Sequence, residues 1–458
     1  MRFLLATAAL TAVLGASLVG PAPAAQAATT RIEGADRFHT SVLVSQRLPA
    51  DDTVFLASGT GFPDALAAAP VAAAEGAHLL LVRPEGIPQV VADELRRLAP
   101  RNVVIVGSEA TLSADVESEA AATGARVTRI AGVDRVETSM LLLDRMRAQN
   151  PAAPVTDIWV ASGFSFPDAL AAGAVAARLG HGLVLTTGAD AGFRERLAAR
   201  LGGVERFHIP GSTASVSSDV QSMLAVTGRS VDRFGGADRY ETAVLVNQAF
   251  TPSGLGGQLL LASGANFPDG LVGAVLAGIH GVALYLTAPE CTTSGSVAAE
   301  MRRLGSTGIT VIGGTASVSP AAAELVPCSA MHEATTELLR LINQERANAG
   351  VRPLATDACL SRMAGGWASA MADGSLAGSA HNPNLTAEAR ACSLRSWAEN
   401  VGRSSGTANP DPARIMSAWM ASDGHRANIL RASSTIVGIG VDRGSNGYWY
   451  YVLNFGSR

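Results

Sequence analysis

Three stretches decide how this chain folds: VFLASGTGFPDAL (54–66), IWVASGFSFPDAL (158–170) and LLLASGANFPDGL (259–271). Each carries an apolar, strand-like run into Ala-Ser-Gly, crosses two variable residues and enters Phe-Pro-Asp at the head of a small-residue helix. Pro63, Pro167 and Pro268 suit the first helical turn, where a missing N–H has no helical partner to lose. Asp64, Asp168 and Asp269 then lie where a carboxylate complements the positive end of the helix dipole.

Working outward, each stretch is preceded by a second shared motif: RIEGADRFHTS from Arg31, RIAGVDRVETS from Arg129 and RFGGADRYETA from Arg233. The aspartates of this motif are 98 and 104 residues apart, and those of Phe-Pro-Asp 104 and 101. Such a period is a domain length rather than a solenoid step. The copies are read as 28–127, 128–231 and 232–328. Within each, apolar strands alternate with helices that stop at Gly76, Gly180 and Gly281. This alternation predicts a parallel sheet covered on both faces, joined by right-handed crossovers. From the Phe-Pro-Asp aspartate to Gly107, Gly211 and Gly313, each closing a later strand, the spacing is 43, 43 and 44 residues.

Ligands of open parallel sheets sit at the carboxyl ends of strands, beside helix N-termini. That edge is expected to gather Ser58, Asp64 and Ser108, then Ser162, Asp168 and Ser212, then Ser263, Asp269 and Gly314. Hydroxyls, carboxylates and free N–H groups suit sugar hydroxyls and phosphate oxygens. The same residues also serve as helix caps, and the pairs Asp36-Arg37, Asp134-Arg135 and Asp238-Arg239 also read as structural ion pairs; both alternatives stay open here.

Residues 1–27 read as a secretory signal: Arg2, an apolar run, and small residues ending Ala25-Gln26-Ala27. No later segment has the length and apolarity of a membrane span, so the expected product is secreted and held, if at all, by binding at the cell wall or surface. All 35 basic residues are arginine, which excludes a phosphate-loop lysine, a Schiff-base lysine and a Ser-Lys dyad. Four cysteines in an exported chain suggest two disulfides. Order along the chain favours Cys291 with Cys328 and Cys359 with Cys392, among three possible pairings.

The triple motif resembles the cell-wall-binding repeats that occur in tandem threes on exported Gram-positive proteins. The resemblance covers about residues 30–328 and implies three small α/β, Toprim-like domains around a pseudo-threefold axis. It also implies noncovalent binding of an anionic wall polymer or peptidoglycan-associated glycan. By the same resemblance the wall-ligand residues are Asp36, Arg37, Asp64, Asp134, Arg135, Asp168, Asp238, Arg239 and Asp269. The chain departs from the pattern at His39, where the other copies have Glu137 and Glu241, and at Gly270, where they have alanine. Charge sets a condition on this reading. From residue 28 to 330 there are 22 arginines against 29 acidic residues, so a polyanion would need local arginines, N–H nests or a bridging cation.

After Cys328 the period ends. EATTELLRLINQERANAG is read as a helix stopping at Gly350, a second helix is expected over about 357–372, and two alternating strands around Ser445-Asn446-Gly447 form a hairpin. These predict an α+β domain over 333–458. His381, Glu399 and His425 are its chemical candidates: two imidazoles and a carboxylate suit Zn²⁺ and water activation, with Glu399 as base and the histidines as ligands. The segment is similar to the CAP superfamily, which implies an α-β-α sandwich with a central cleft. Of that family's two-histidine, two-acid tetrad, His381, Glu399 and His425 match three members, and Ser422 stands in place of the fourth. Tyr448, Trp449, Tyr450 and Tyr451 are read as a binding rim, with alternation placing about half of them in the core. The expected role is binding rather than conventional catalysis, and no nucleic-acid scaffold role is expected. The alternatives are a wall-tethered metal-dependent hydrolase of peptide or nucleic acid, and a lipid-binding module.

Overall fold

The structure is a computed structural model that describes residues 28–149, 151–292, 296–374, 380–405, 409–444 and 446–458. The expected signal segment and Ser445 of the expected turn lie outside these residues. The strands up to residue 130 are β1 (Ala28–Ile32), β2 (Thr53–Ser58), β3 (His78–Val82), β4 (Asn102–Val106) and β5 (Arg126–Ile130). The second copy contributes β6 (Asp157–Ser162), β7 (Gly182–Thr186), β8 (Arg206–Pro210) and β9 (Ser230–Phe234). The third contributes β10 (Gln258–Ser263), β11 (Leu284–Thr287) and β12 (Gly308–Ile312).

These strands form three four-stranded parallel sheets, ordered β3-β2-β4-β5, β7-β6-β8-β9 and β11-β10-β12-β1. The sheets do not coincide with the sequence copies. The boundaries read at 127/128 and 231/232 fall inside β5 and β9, and each of these strands completes the sheet of the copy before it. The first strand of the chain does the same for the last copy: Ala28 pairs with Gly308 and Ile32 with Ile312, so three sheets become a closed ring.

The small-residue helices Ala68–Glu75, Pro167–Leu179 and Pro268–His280 pack on one another at the centre of this ring. Small residues permit that approach: a Cβ on Gly278 would lie 2.6 Å from the Ala73 side chain and 2.8 Å from that of Ala177. A Cβ on Gly270 would lie 2.5 Å from Leu170, which accounts for that departure from alanine. Phe62, Phe166 and Phe267 meet nearby, with ring centroids 5.7, 6.1 and 6.2 Å apart. In the first copy the expected single helix is split into Pro63–Leu66 and Ala68–Glu75. Pro70 is the cause, because it lacks the N–H that would bond the Leu66 carbonyl and its ring crowds that carbonyl.

The remaining strands, β13 (Ala355–Thr356), β14 (Ser396–Ser405), β15 (Ile436–Arg443) and β16 (Tyr448–Ser457), form a mixed sheet ordered β13-β15-β16-β14. The helix Ala358–Ala372 covers one face, while Cys328–Asn348 and Pro412–Ala421 lie on the other side. The first contact is backbone to backbone: a Cβ on Gly438 would lie 2.2 Å from the Leu360 carbonyl oxygen, and one on Gly440 2.1 Å from that of Ala364. Because β16 is an interior strand covered on both faces, Trp449, Tyr450 and Tyr451 are all buried. The expected aromatic rim is therefore core, with only Tyr448 part-exposed.

The two bodies share more than a linker. The helix Cys328–Asn348 begins inside the third copy, where Cys328 is bonded to Cys291, and Ala321 and Val326 belong to the hydrophobic core of the C-terminal domain. The second disulfide joins Cys359 and Cys392. At the seam Asp442 is buried, and its carboxylate accepts from the backbone N–H of Ala321 (3.1 Å) and Arg443 (2.7 Å) and from the Ser369 hydroxyl. Burial outweighs those donors and pushes its carboxyl up to about 7. The folded protein thus holds a proton that the unfolded chain releases near pH ~4. The stability this proton supplies is complete below that pH and is lost as pH rises through about 7. Asp442→Asn keeps the shape and removes the titration, so its stability relative to the parent is expected to be higher at pH 8 than at pH 5 in urea midpoints. An unchanged difference between the two pH values would refute the assignment.

Candidate functional site

The repeated corners assemble between copies rather than within them. One cleft of about 400 Å³ is lined by Ser58, Asp64, Ser108 and Thr111 of the first copy and by Asp134 and Arg135 of the second. A smaller one of about 180 Å³ repeats the plan with Asp168, Ser212 and Ser215 facing Asp238 and Arg239. The third corner closes the ring: Asp269 feels the charges of Arg37 and Arg31, and Arg31 donates to the Gly313 and Val318 carbonyls. Arg37 thus lies beside Asp269, some 230 residues away in sequence.

Local chemistry explains each motif position. Asp36, Asp134 and Asp238 are N-caps whose carboxylates accept the N–H of His39, Glu137 and Glu241. Glu137 and Glu241 reach back one residue beyond the N-cap to accept from the N–H of Val133 and Ala237, a reciprocal arrangement akin to a capping box. His39 does the same through Nδ1 for Ala35, so the departure from glutamate preserves the function of the position. Arg37, Arg135 and Arg239 each donate to the carbonyl of the Ala-Ser-Gly glycine, at 2.7, 2.6 and 2.8 Å. The Phe-Pro-Asp carboxylates accept from Thr111 (2.9 Å), Ser215 (2.6 Å) and Ser317. They also lie against Gly107, Gly211 and Gly313, where φ is +105°, +90° and +108° and a Cβ would come within 2.8, 2.2 and 2.3 Å of the carboxylate. This contact explains why glycine stands at the end of each of these strands, opposite the aspartate.

Burial raises the Asp269 carboxyl against the opposing Ser317 hydroxyl and arginines. For Asp134, burial is outweighed by the Glu137 N–H and Arg196, which hold its carboxyl below the ordinary range. Ser58 and Ser108 line the first cleft and Ser212 the second, as expected from the strand ends, whereas Thr111, Ser215 and Ser317 were not among the expected residues. Their signal is a hydroxyl four residues after each strand glycine.

In the C-terminal domain, Glu399 on β14 is buried, and one carboxylate oxygen accepts from Asn382 N–H at 3.0 Å and pairs with His381 Nδ1 at 2.8 Å. The other, Oε2, is buried with no hydrogen-bond partner. His425 lies close enough to feel His381; burial, then that imidazole, lowers its pKa. Ser422 is the N-cap residue of the helix Asp423–Ile429, and Asn428 fixes the same region by donating to the Glu399 carbonyl and to Asn400.

The threefold sequence motif matches a known repeat. The model of cell wall binding domain 2 fits residues 31–117, 129–221 and 233–323. The chain belongs to the cell wall binding domain 2 family. The cysteine-rich secretory protein, or CAP, family model fits residues 339–455, so three repeats are followed by a CAP domain. Among curated proteins, N-acetylmuramoyl-L-alanine amidase LytC of Bacillus subtilis is 27% identical over 62% of this chain and 55% of its own length. The amidase enhancer of the same organism is 30% identical over 55% of this chain and 33% of its own length. The chain therefore spans about half or less of the curated relatives it matches. Among solved structures, Cwp6 from Clostridium difficile aligns at a TM-score of 0.58 and 25% identity, covering 66% of this chain and 48% of that one. Among the described residues no helix is long and apolar enough to cross a membrane.

Proposed function

We propose that this is an exported wall-associated protein whose three repeats hold it noncovalently to a cell-wall polymer or associated glycan and display the CAP domain outward. The observation that carries the reading is the recurrence of one arrangement, a Phe-Pro-Asp carboxylate and a hydroxyl turn facing the Asp-Arg cap of the next copy, which encloses a cleft at two corners of the ring and sets Asp269 and Ser317 beside Arg37 at the third. Three weak sites on a rigid frame retain a polymer by avidity. Signal cleavage after Ala27 would leave β1 intact, because that strand begins at Ala28.

Ala110 lines the first cleft, and Ala214 and Ala316 are its exposed counterparts in the turns after the other two strand glycines, so tryptophan there adds bulk at each corner without removing a side-chain hydrogen bond. Ala110→Trp is expected to weaken sedimentation with purified Gram-positive walls a few-fold, and the triple variant at least about 100-fold, as expected when avidity is lost. Glu399→Gln is expected to sediment like the parent. A triple variant that sediments like the parent would sink the proposal.

The second reading, a metal-dependent hydrolase, would use His381 and His425 as zinc ligands and Glu399 as base. The unpartnered Oε2 of Glu399 and the lowered pKa of His425 support it, whereas the bond from His381 Nδ1 to Glu399 occupies one candidate ligand atom. Zinc there would supply an activated water; stoichiometric metal lost on His381→Ala and on His425→Ala would favour this reading over a purely binding domain.

A further inference from the structure

The second repeat contains a polar cluster that nothing in the cleft chemistry uses. Asp157 opens β6, His208 lies on the neighbouring β8, and His181 follows the left-handed Gly180 at the end of the helix Pro167–Leu179. One potential ligand atom from each lies within 4.8 Å of those of the other two, the one such His, Cys, Asp or Glu group of three among the described residues. Asp157 and His208 are 6% and 1% exposed, and His181 is half-buried at the surface edge.

The hydrogen bonding is incomplete. His208 Nε2 meets Asp157 Oδ1 at 2.7 Å, and its Nδ1 is buried without a hydrogen bond, 3.6 Å from Asp232 Oδ2. His181 Nδ1 is also buried with no partner. Around them stand Trp159, Phe234 and Phe250, with Trp159 4.8 Å from the His208 ring. Unpaired imidazole nitrogens in an aromatic setting carry a desolvation cost that a structural cluster would satisfy.

Nor does the fold require these residues. At the equivalent positions the first repeat has Thr53, Ala77 and Val104 and the third has Gln258, Val282 and Thr310. Both sheets form without a single imidazole or carboxylate there.

We propose that Asp157, His181 and His208 bind one divalent transition-metal ion, zinc by the character of its donors, in the second repeat. Two imidazoles and a carboxylate are a zinc donor set, with a water completing four-coordination. With the metal on Nε2, the His208 Nδ1–H faces the Asp232 carboxylate, the outer partner that fixes tautomer and ring orientation in zinc–histidine sites. The ion would tie the end of the central helix to two strands of its sheet, beside the seam where Arg178 donates to the Phe250 carbonyl and the Thr251 hydroxyl.

The test uses the full chain carrying His381→Ala and His425→Ala, so that the CAP domain contributes no imidazole pair. After chelator treatment, one equivalent of Co²⁺ is expected to give a saturable visible absorption band that equimolar Zn²⁺ abolishes. His181→Ala, at the surface edge of the cluster, is expected to weaken Zn²⁺ binding more than about 100-fold, and Asp232→Asn about 10- to 100-fold. Absence of a saturable Co²⁺ band in the chain with all three ligands intact overturns the proposal, whether or not the variants fold. Unchanged zinc affinity in a folded His181→Ala protein overturns it equally.

Discussion

Deleting residues 28–32 is expected to open the third repeat while leaving the first folded. β1 lies in the sheet of the third repeat, where it forms a five-residue parallel ladder with β12 and buries Ile32. Arg31 adds two bonds to the Gly313 and Val318 carbonyls. Burial of one isoleucine contributes roughly 1.5–3 kcal/mol, and each ladder or guanidinium bond about 1 kcal/mol net. The loss should therefore exceed about 4 kcal/mol, within the range of a marginal domain's whole stability. Hydrogen exchange should show β12 and β10 losing protection while β2 and β4 keep theirs. The reverse pattern would show that β1 serves its own copy. Wall retention should fall in the same deletion, because the corner formed by Asp269 and Arg37 loses its frame.

Arg346→Met should be the most damaging single substitution in the CAP domain, at about 3–5 kcal/mol, because several buried acceptors lose their donor at about 1–3 kcal/mol each before any relaxation. Arg346 is fully buried, and its guanidinium donates to four backbone carbonyls: Arg352 (2.6 Å), Ile429 (2.6 Å), Arg431 (3.0 Å) and Ser434 (3.1 Å). It thereby gathers the turn after the first helix and the segment leading into β15. Methionine fills much of the volume but leaves four acceptors without donors. Lysine offers three donors on a point-like head rather than a planar fork, so Arg346→Lys should recover only part of the loss. Urea midpoints followed by the near-ultraviolet signal of the buried Trp419 and Trp449 would report the effect. A loss under about 1 kcal/mol, the size of one ordinary hydrogen bond, would show that water replaces the guanidinium.

Arg346 shows why some of the structure was not legible beforehand. In sequence it is one arginine on a helix among charged neighbours, and only folding surrounds it with carbonyls from residues 352, 429, 431 and 434. The histidines and carboxylate of the CAP domain stand out in the sequence because their neighbours form dense local motifs. Asp157, His181 and His208 have no such motif, and their proximity arises from strand pairing alone. The four aromatics from Tyr448 to Tyr451 were read as alternating because alternation presumes one wet face, whereas helices cover both faces of this sheet.

What the sequence determined by itself was local and repeated: proline at the helix start, aspartate at the cap, glycine at the left-handed stop, and apolar runs that can only be interior parallel strands. Those choices fix the elements and their order, because each depends on a few neighbouring residues and on backbone groups that must be satisfied within one turn. Which strand completes which sheet was decided by the tertiary structure. Strand edges present the same N–H and C=O groups whatever their side chains, so the partner of β1 is selected by packing of the three central helices and closure of the ring. The clefts inherit that decision, since each draws part of its lining from the next copy.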